Sequence, residues 1–315
     1  MSADPTPLAD AYGAALVELG ERDPRIVVFD TGSAGRTRTA LFGERFPERF
    51  FDVGAMAPTM VAVAAGMSDG GRPVFASLVA SALAGAGYVA LREGVCPPRA
   101  SVKLVGVHGG RTTTAGVASP PAIEDVGVLR AVPGMSVVVP ADAPTARAAT
   151  FALAERPGPA YLRLREGDLP VVGNGSFALG QAPELHAGSD LTIVALGALV
   201  VRALNLATEL DRVGVGARVL DLASVKPFDE PAILRAARDT GAVLVLEEHS
   251  VLTGVGALVA ATTAENYPVP VRRVGLPDVF GTPGPSESFL DRHGLSRERL
   301  LDEAWELLKN RGKVA

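Results

Sequence analysis

Ser101-Val-Lys-Leu-Val-Gly-Val107, followed at once by His108-Gly109-Gly110, is the stretch that decides the fold. A β-branched run that stops at a polar residue and two glycines reads as a buried strand ending in a tight turn. The same unit recurs outward in both directions. Ile26–Asp30 reads as a buried strand with a polar turn after it, and Val74–Ala76 as a short strand followed by a helix through Arg92. Asp10–Leu19, Met60–Ser68, Ile123–Arg130 and Ala143–Ala154 read as helices, and Ser136–Val139 as a further strand. Strands alternating with helices imply a mainly parallel sheet covered on both faces. In such sheets ligands sit beyond the carboxyl ends of the strands. Asp30-Thr31-Gly32, the segment from Ser77 onward, and His108-Gly109-Gly110-Arg111 are therefore candidate site turns; each alone also reads as an ordinary tight turn.

The rhythm pauses in the polar, turn-rich stretch Arg165–Ser189, which contains Asn174-Gly175, and then restarts. Leu191–Leu196, Ala217–Asp221, Ala242–Leu246 and Val271–Val274 read as strands; Val200–Val213, Glu230–Thr240, Gly254–Ala264 and Arg297–Asn310 read as helices. The expected organisation is an α/β protein of two consecutive domains: residues 1–170, a linker over 171–189, and residues 190–315. At 315 residues, 48% hydrophobic and 21% charged, the chain has material for two cores. A formal charge of −5 gives no footprint for nucleic acid or an anionic membrane. The apolar runs are short and broken, and Met-Ser-Ala-Asp-Pro-Thr has no basic or apolar signal region, so the expected location is the cytoplasm. Cys96 is the single cysteine, which excludes an internal disulfide and a multi-cysteine metal site. With no adjacent base it reads as an inert thiol. Lys226 before Pro227 reads as a structural cation, and His186 and His293 as surface residues. The turn holding Ser33 and Arg36 is a place where backbone amides bind anions.

Several motifs carry a resemblance. They are Asp10-Ala-Tyr-Gly-Ala-Ala-Leu-Val-Glu-Leu19, Arg45–Gly54, Glu124–Arg130 with Pro133–Asp142, Val225-Lys-Pro-Phe-Asp229, Leu246-Glu-Glu-His-Ser250, Glu265–Pro270 and Asp278-Val-Phe-Gly281. In order and spacing, over roughly residues 8 to 310, they resemble the C-terminal half of transketolase, the half that forms its own subunit when the enzyme is split into two chains. The resemblance implies a pyrimidine-binding domain followed by the family's C-terminal domain. It implies thiamine diphosphate shared with an N-terminal diphosphate-binding subunit, Mg2+ held by that partner, and an α2β2 heterotetramer acting on a small ketose or 2-oxoacid-like substrate. Glu166-Gly-Asp168 lacks the setting of the family's metal motif, so this chain is expected to bind no metal. Glu247-Glu248-His249 is expected to serve domain packing and interchain contact.

The resemblance also exposes departures around one pocket. The family's Gly-Ile-Ala-Glu-Gln-Asn-Met, whose Glu activates the coenzyme, reads Gly54-Ala-Met-Ala-Pro-Thr-Met60 here, with Ala57 at the Glu position. The aromatic wall becomes Ser77-Leu-Val-Ala-Ser-Ala82, with Val79 and Ala82 at the aromatic positions. His108 keeps the family's first histidine, whereas an acidic pair becomes Ala115-Gly116 and a His-Gln pair becomes Pro120-Pro121. The arginine expected before the first helix is Ala9. The resemblance thus places Ala57, Val79, Ala82 and Tyr88 against the coenzyme, His108 as a group that orients or protonates substrate, and Arg111 as a cation for its acid group. Two readings stay open. One is a transferase of two-carbon ketol or acyl units that works by an altered route without the Glu, a divergence suited to specialised metabolism. The other is a pseudoenzyme chain that stabilises its partner.

Overall fold

The structure, a computed structural model, describes residues 5–110, 121–279 and 289–311. The strands in chain order are β1 (Thr6–Pro7), β2 (Val27–Asp30), β3 (Phe50–Asp52), β4 (Val74–Val79), β5 (Val102–Val107), β6 (Ser136–Val138), β7 (Ala160–Leu164), β8 (Asp168–Leu169), β9 (Glu184–His186), β10 (Leu191–Ala195), β11 (Ala217–Asp221), β12 (Ser224–Lys226), β13 (Val243–Ser250) and β14 (Val271–Leu276). Seven form the first sheet in the order β12-β6-β7-β5-β4-β2-β3; five form the second in the order β14-β13-β10-β11-β9. Pairing in these two sheets is parallel except for β12 on β6 and β9 on β11. The central strands β2, β5 and β7 are buried along their whole length. Helices on both faces of a parallel sheet bury both sides of each strand, which is why these runs are mostly apolar; the buried exceptions are partnered, Lys103 by the carbonyls of Arg156 and Gly158 and Arg163 by Asp125.

The two halves are interlocked. Strand β12 lies beyond β11 in sequence yet closes the edge of the first sheet against β6. One apolar core runs through both halves, taking Ala57, Leu104 and Val137 from the first and Leu196, Leu220, Ile233 and Val245 from the second. The polar stretch expected as a linker is pinned by the caps of two helices. Asp142 caps Ala143–Glu155 through Thr145 N and also accepts from Val172 N and Gly173 N. Asp229 caps Glu230–Thr240 through Ala232 N and also accepts from Ala182 N. Each carboxylate satisfies orphan donors of a helix N-terminus and holds the crossing chain at the same time.

Three sequence expectations need correction. The single helix expected after β4 is broken into Ala80–Ala84, Tyr88–Ala90 and a π turn over Leu91–Val95. Gly85 lies between the first two pieces at φ −92°, ψ −98°, outside the helical region. Strand β7 went unread because Ala-Tyr-Leu-Arg-Leu carries an arginine, a residue that pattern rules place in solvent, although Arg163 is only 3% exposed. Strand β9 falls inside 171–189 and pairs with β11.

Candidate functional site

Beyond its last apolar residue, β5 delivers His108 in the left-handed backbone region at φ +56°, and Gly110 follows at φ +82°. A non-glycine residue there costs roughly 1–2 kcal/mol, so surrounding contacts must hold it. They do: Gly109 N donates to Leu164 O at 3.1 Å and Gly110 N to Ala122 O at 2.9 Å. The His108 side chain is 8% exposed, with Nδ1 3.6 Å from Glu166 Oε2. Burial pushes its pKa below the ordinary imidazole value; the Glu166 charge opposes this and the Arg36 charge adds to it. The ring is thus held neutral at physiological pH and can donate through one nitrogen and accept through the other.

His108 forms one wall of a cleft of about 290 Å³, whose other charged walls are Asp10, Arg36, Arg38, Arg165 and Glu166. Four chain segments meet there, one of them the N-terminal stretch with Pro7, Ala9 and Asp10. The turn after β2 supplies Arg36 and Arg38, β5 supplies His108, and the end of β7 supplies Arg165. The first turn is built on Asp30, which is fully buried. Its Oδ1 accepts from Ser33 N at 2.6 Å and Ser33 Oγ at 3.1 Å; its Oδ2 accepts from Thr37 Oγ1 at 2.6 Å and Thr39 Oγ1 at 2.9 Å. Four donors offset the cost of burying the carboxylate. The amide of Ser33 is consumed in this way, so the cation Arg36, rather than that amide, faces the cleft. Arg38 pairs with Asp10 across it at 2.5 Å. Ala9, at the position of the expected arginine, lines the same cleft.

Behind the cleft, the second half of the chain closes on the first. Arg165 Nε donates to Glu248 Oε2 at 2.8 Å, with the two side chains 8% and 2% exposed. Arg163 Nε donates to Asp125 Oδ2 at 2.8 Å, and its Nη2 to Ala122 O and Glu248 O, both at 3.1 Å. Tyr161 OH donates to the same Asp125 Oδ2 at 2.6 Å. His249 is fully buried; its Nδ1 lies 3.0 Å from Ser250 O and its Nε2 accepts from Gly127 N at 3.1 Å. Desolvation lowers its pKa to about 4, so it is a neutral packing residue, in line with the sequence expectation for domain packing. Glu247 caps Val255–Asn266 through Val255 N and Gly256 N, and burial raises its pKa to about 7.

The other corner of the same edge differs in kind. Ala57 opens the helix Ala57–Met67 and is 6% exposed; the first turn of that helix holds no acidic residue. Ala82 and Tyr88 are partly buried and pack on the core cluster that contains Ala57, and Val79 ends β4 half-buried. The corner offers an apolar shelf to a flat ring. Among the described residues it offers no carboxylate to a ring nitrogen at the start of this helix: Ala57 presents a buried methyl, and Met56 before it is 53% exposed. The corner fits a flat apolar ring but lacks the carboxylate that would activate it, so no proton transfer on the coenzyme is assigned to this chain. Among the described residues there is also no group of three His, Cys, Asp or Glu placed to hold a metal ion.

Arg111, Ala115, Gly116 and Pro120 lie outside the described residues. Cys96 is buried, and burial raises its thiol to about 11, as an inert thiol should be. Lys226 donates to Arg130 O at 2.9 Å and Val132 O at 2.7 Å, a structural role. His186 and His293 are partly buried and engaged, the first on Ala217 O and the second on Phe289 O. Arg36, Arg38 and Arg165 are the site cations that sequence reading did not bring together with His108. A larger cleft of about 750 Å³, between Arg22, Arg99, Phe151 and Arg156, opens at the amino ends of the strands, away from the edge where parallel sheets act. No helix among the described residues is long and apolar enough to cross a membrane.

Comparison with known proteins identifies both domains. The pyrimidine-binding domain of transketolase matches residues 5–172, and the transketolase C-terminal domain matches residues 180–300. The chain is 35% identical to the 6-deoxy-6-sulfo-D-fructose transketolase subunit SqwH of Clostridium sp. (strain MSTE9), over 96% of this chain and 95% of that one. It is also 35% identical to one of the subunits of the apulose-4-phosphate transketolase of Phocaeicola vulgatus, over 95% of this chain and 96% of that one. A solved structure described as a split-gene transketolase, inactive beta4 tetramer, superposes with a TM-score of 0.89 at 40% identity, covering 98% of this chain and 99% of that one. Because both domains match and the likeness spans whole subunits, this chain belongs to the transketolase family, as a C-terminal subunit of the split type.

Proposed function

We propose that this subunit works with a separate diphosphate-binding chain to transfer a two-carbon ketol or acyl unit between small carbonyl compounds, and that the His108 cleft holds a substrate's acid group. The observation that carries this reading is the convergence of Arg36, Arg38, Arg165 and a neutral His108 on one cleft at the carboxyl edge of the sheet. A guanidinium offers forked donors to a phosphate, sulfonate or carboxylate, and a neutral imidazole adds a directional hydrogen bond without a second buried charge. The two named relatives act, by their names, on a sulfo- and a phospho-sugar, which supports an acid-bearing ketose here. Family membership implies dependence on thiamine diphosphate, which when bound supplies an electron sink for breaking a carbon–carbon bond beside a carbonyl. In this reading the partner holds the diphosphate and Mg2+, in an α2β2 complex in the cytoplasm. This chain lends an apolar shelf at Ala57, Val79, Ala82 and Tyr88, excludes water there, and orients substrate through His108. Arg111, three residues after His108 in sequence, belongs to the same proposal as a further cation. The activating group comes from the partner or from water, since the start of the helix Ala57–Met67 has no carboxylate.

The test is co-expression with a neighbouring-frame candidate for the partner, followed by assays of acid-bearing ketoses with and without thiamine diphosphate and Mg2+. Turnover that requires both chains and the coenzyme supports the reading. A stable complex that binds no coenzyme overturns it in favour of a second reading, a partner-stabilising pseudoenzyme. That second reading is favoured by the buried methyl at position 57.

A further inference from the structure

Glu248 belongs to the second half of the chain, yet its carboxylate is wedged into the first. On one side it takes the Nε hydrogen of Arg165 at 2.8 Å. On the other it lies flat against the loop that carries His108: a Cβ on Gly110 would come within 2.8 Å of Glu248 Cδ and 2.9 Å of its Oε1. Its own backbone carbonyl accepts from Arg163 Nη2 at 3.1 Å. Two guanidiniums, Arg163 and Arg165, are 3% and 8% exposed beside a cleft that also holds Arg36. Cations packed this closely at low exposure repel one another unless an anion lies between them. Asp125 serves Arg163 in this way, and Glu248 serves Arg165.

Resting on the acid-group cleft proposed above, we infer that Glu248 is a positioning residue for substrate recognition: by fixing the plane of Arg165 and the height of the Gly109-Gly110 turn, it lets the C-terminal domain set the geometry in which Arg165 and His108 meet the substrate's acid group. The family's second domain then acts on selectivity without touching substrate. The carboxylate constrains both partners: moving it releases Arg165 Nε, leaving Nη1 on Glu166 O at 3.3 Å, and opens space over Gly110.

The test is titration of inorganic phosphate into the full-length chain, alone and with its partner, followed by the ring resonances of His108 among the four histidines of the chain. The variants are Glu248→Gln, Glu248→Asp, Arg165→Gln and the double variant Glu248→Gln/Arg165→Gln, each checked for an unchanged unfolding midpoint. Glu248→Gln is expected to weaken phosphate roughly tenfold, the size of one charge-assisted hydrogen bond. Glu248→Asp, which keeps the charge one methylene away, is expected to lose less. The decisive expectation is non-additivity: in the Arg165→Gln background, Glu248→Gln adds no further loss. If Glu248→Gln binds phosphate as tightly as the parent or more tightly, as mere removal of a negative charge beside an anion site would give, or weakens it equally in both backgrounds, the inference is overturned while the cleft reading stands. If the parent itself shows no phosphate effect at His108, the cleft reading falls and takes the inference with it. Should Glu248→Gln fail to fold, Glu248→Asp with and without Arg165→Gln gives the same cycle.

Discussion

At the carboxyl edge of the first sheet, the His108 corner and the Ala57 corner lie in one domain and face one way, yet they are held by opposite means. The His108 corner is dense in charge: Asp30, Asp125, Arg163, Arg165 and Glu248 are all buried, and nearly every polar atom has a partner. The Ala57 corner is held by apolar packing behind a turn that Asp52 ties through Gly32 N and Gly54 N, with no buried ion pair. A charged corner keeps its shape only while each charge is matched, so it tolerates little change. An apolar corner keeps its shape through volume and tolerates loss of chemistry, provided side chains still fill space. The absence of a carboxylate at position 57 beside a charge-dense cleft is consistent with that difference.

The comparison can be broken most forcefully at position 57. If one absent carboxylate separates the corners, Ala57→Glu in the two-chain complex raises coenzyme-dependent turnover by about 10²–10⁴-fold, the usual worth of a general acid–base group. No gain in steady-state rate counts against a simple loss of one carboxylate as the difference between the corners. Next in size is Asp125→Ala. It strands Arg163 without its anion and is expected to cost about 3–5 kcal/mol in urea unfolding. A loss under about 1 kcal/mol means the buried charges are not what holds the corner.

A third test uses pH. The folded-state pKa of His249 is depressed to about 4, so between the ordinary imidazole value and about 4 the unfolded chain binds a proton that the folded chain refuses. This stability contribution is present above about pH 6.5 and falls as pH drops toward 4, with a limiting slope of about 1.4 kcal/mol per pH unit. His249→Gln removes that slope, so the parent-minus-variant difference in unfolding free energy should shrink between about pH 7 and pH 5. A constant difference contradicts a neutral buried His249. Smaller again, Arg36→Gln should weaken inorganic phosphate at His108 about fivefold, one exposed-side cation's share, and should raise the imidazole pKa because the Arg36 charge depresses it. The smallest effect belongs to Tyr88→Phe. The hydroxyl has no hydrogen-bond partner among the described residues, and stability should stay within about 0.5 kcal/mol. A larger loss in calorimetry reveals a polar role in the apolar corner.

Much of the fold was legible because burial writes itself into local pattern. The mostly apolar, β-branched runs of β2, β5 and β10 and the amphipathic helix Arg297–Asn310 were read from residues alone. Strand β7 was not, since its arginine is buried only because Asp125, 38 residues away, neutralises it. The helix after β4 was read too long because a glycine inside an alanine-rich run leaves the helical pattern nearly intact. Of the site, His108 was legible from its place after a strand, and Ala57 from a resemblance. Arg36 and Arg165 were not linked to His108, because sequence does not say that the turns after β2, β5 and β7 meet.

By itself the sequence determined the alternation of strand and helix, the two-part organisation and the absence of a carboxylate at position 57, since these rest on side-chain type and local spacing. Only the tertiary structure decided which strand ends adjoin, that β12 returns to the first sheet, and that Glu248 reaches Arg165 across the domain boundary. The physical reason is that strand order and charge pairing depend on contacts between residues far apart in the chain, and their energy exists only once the backbone has closed.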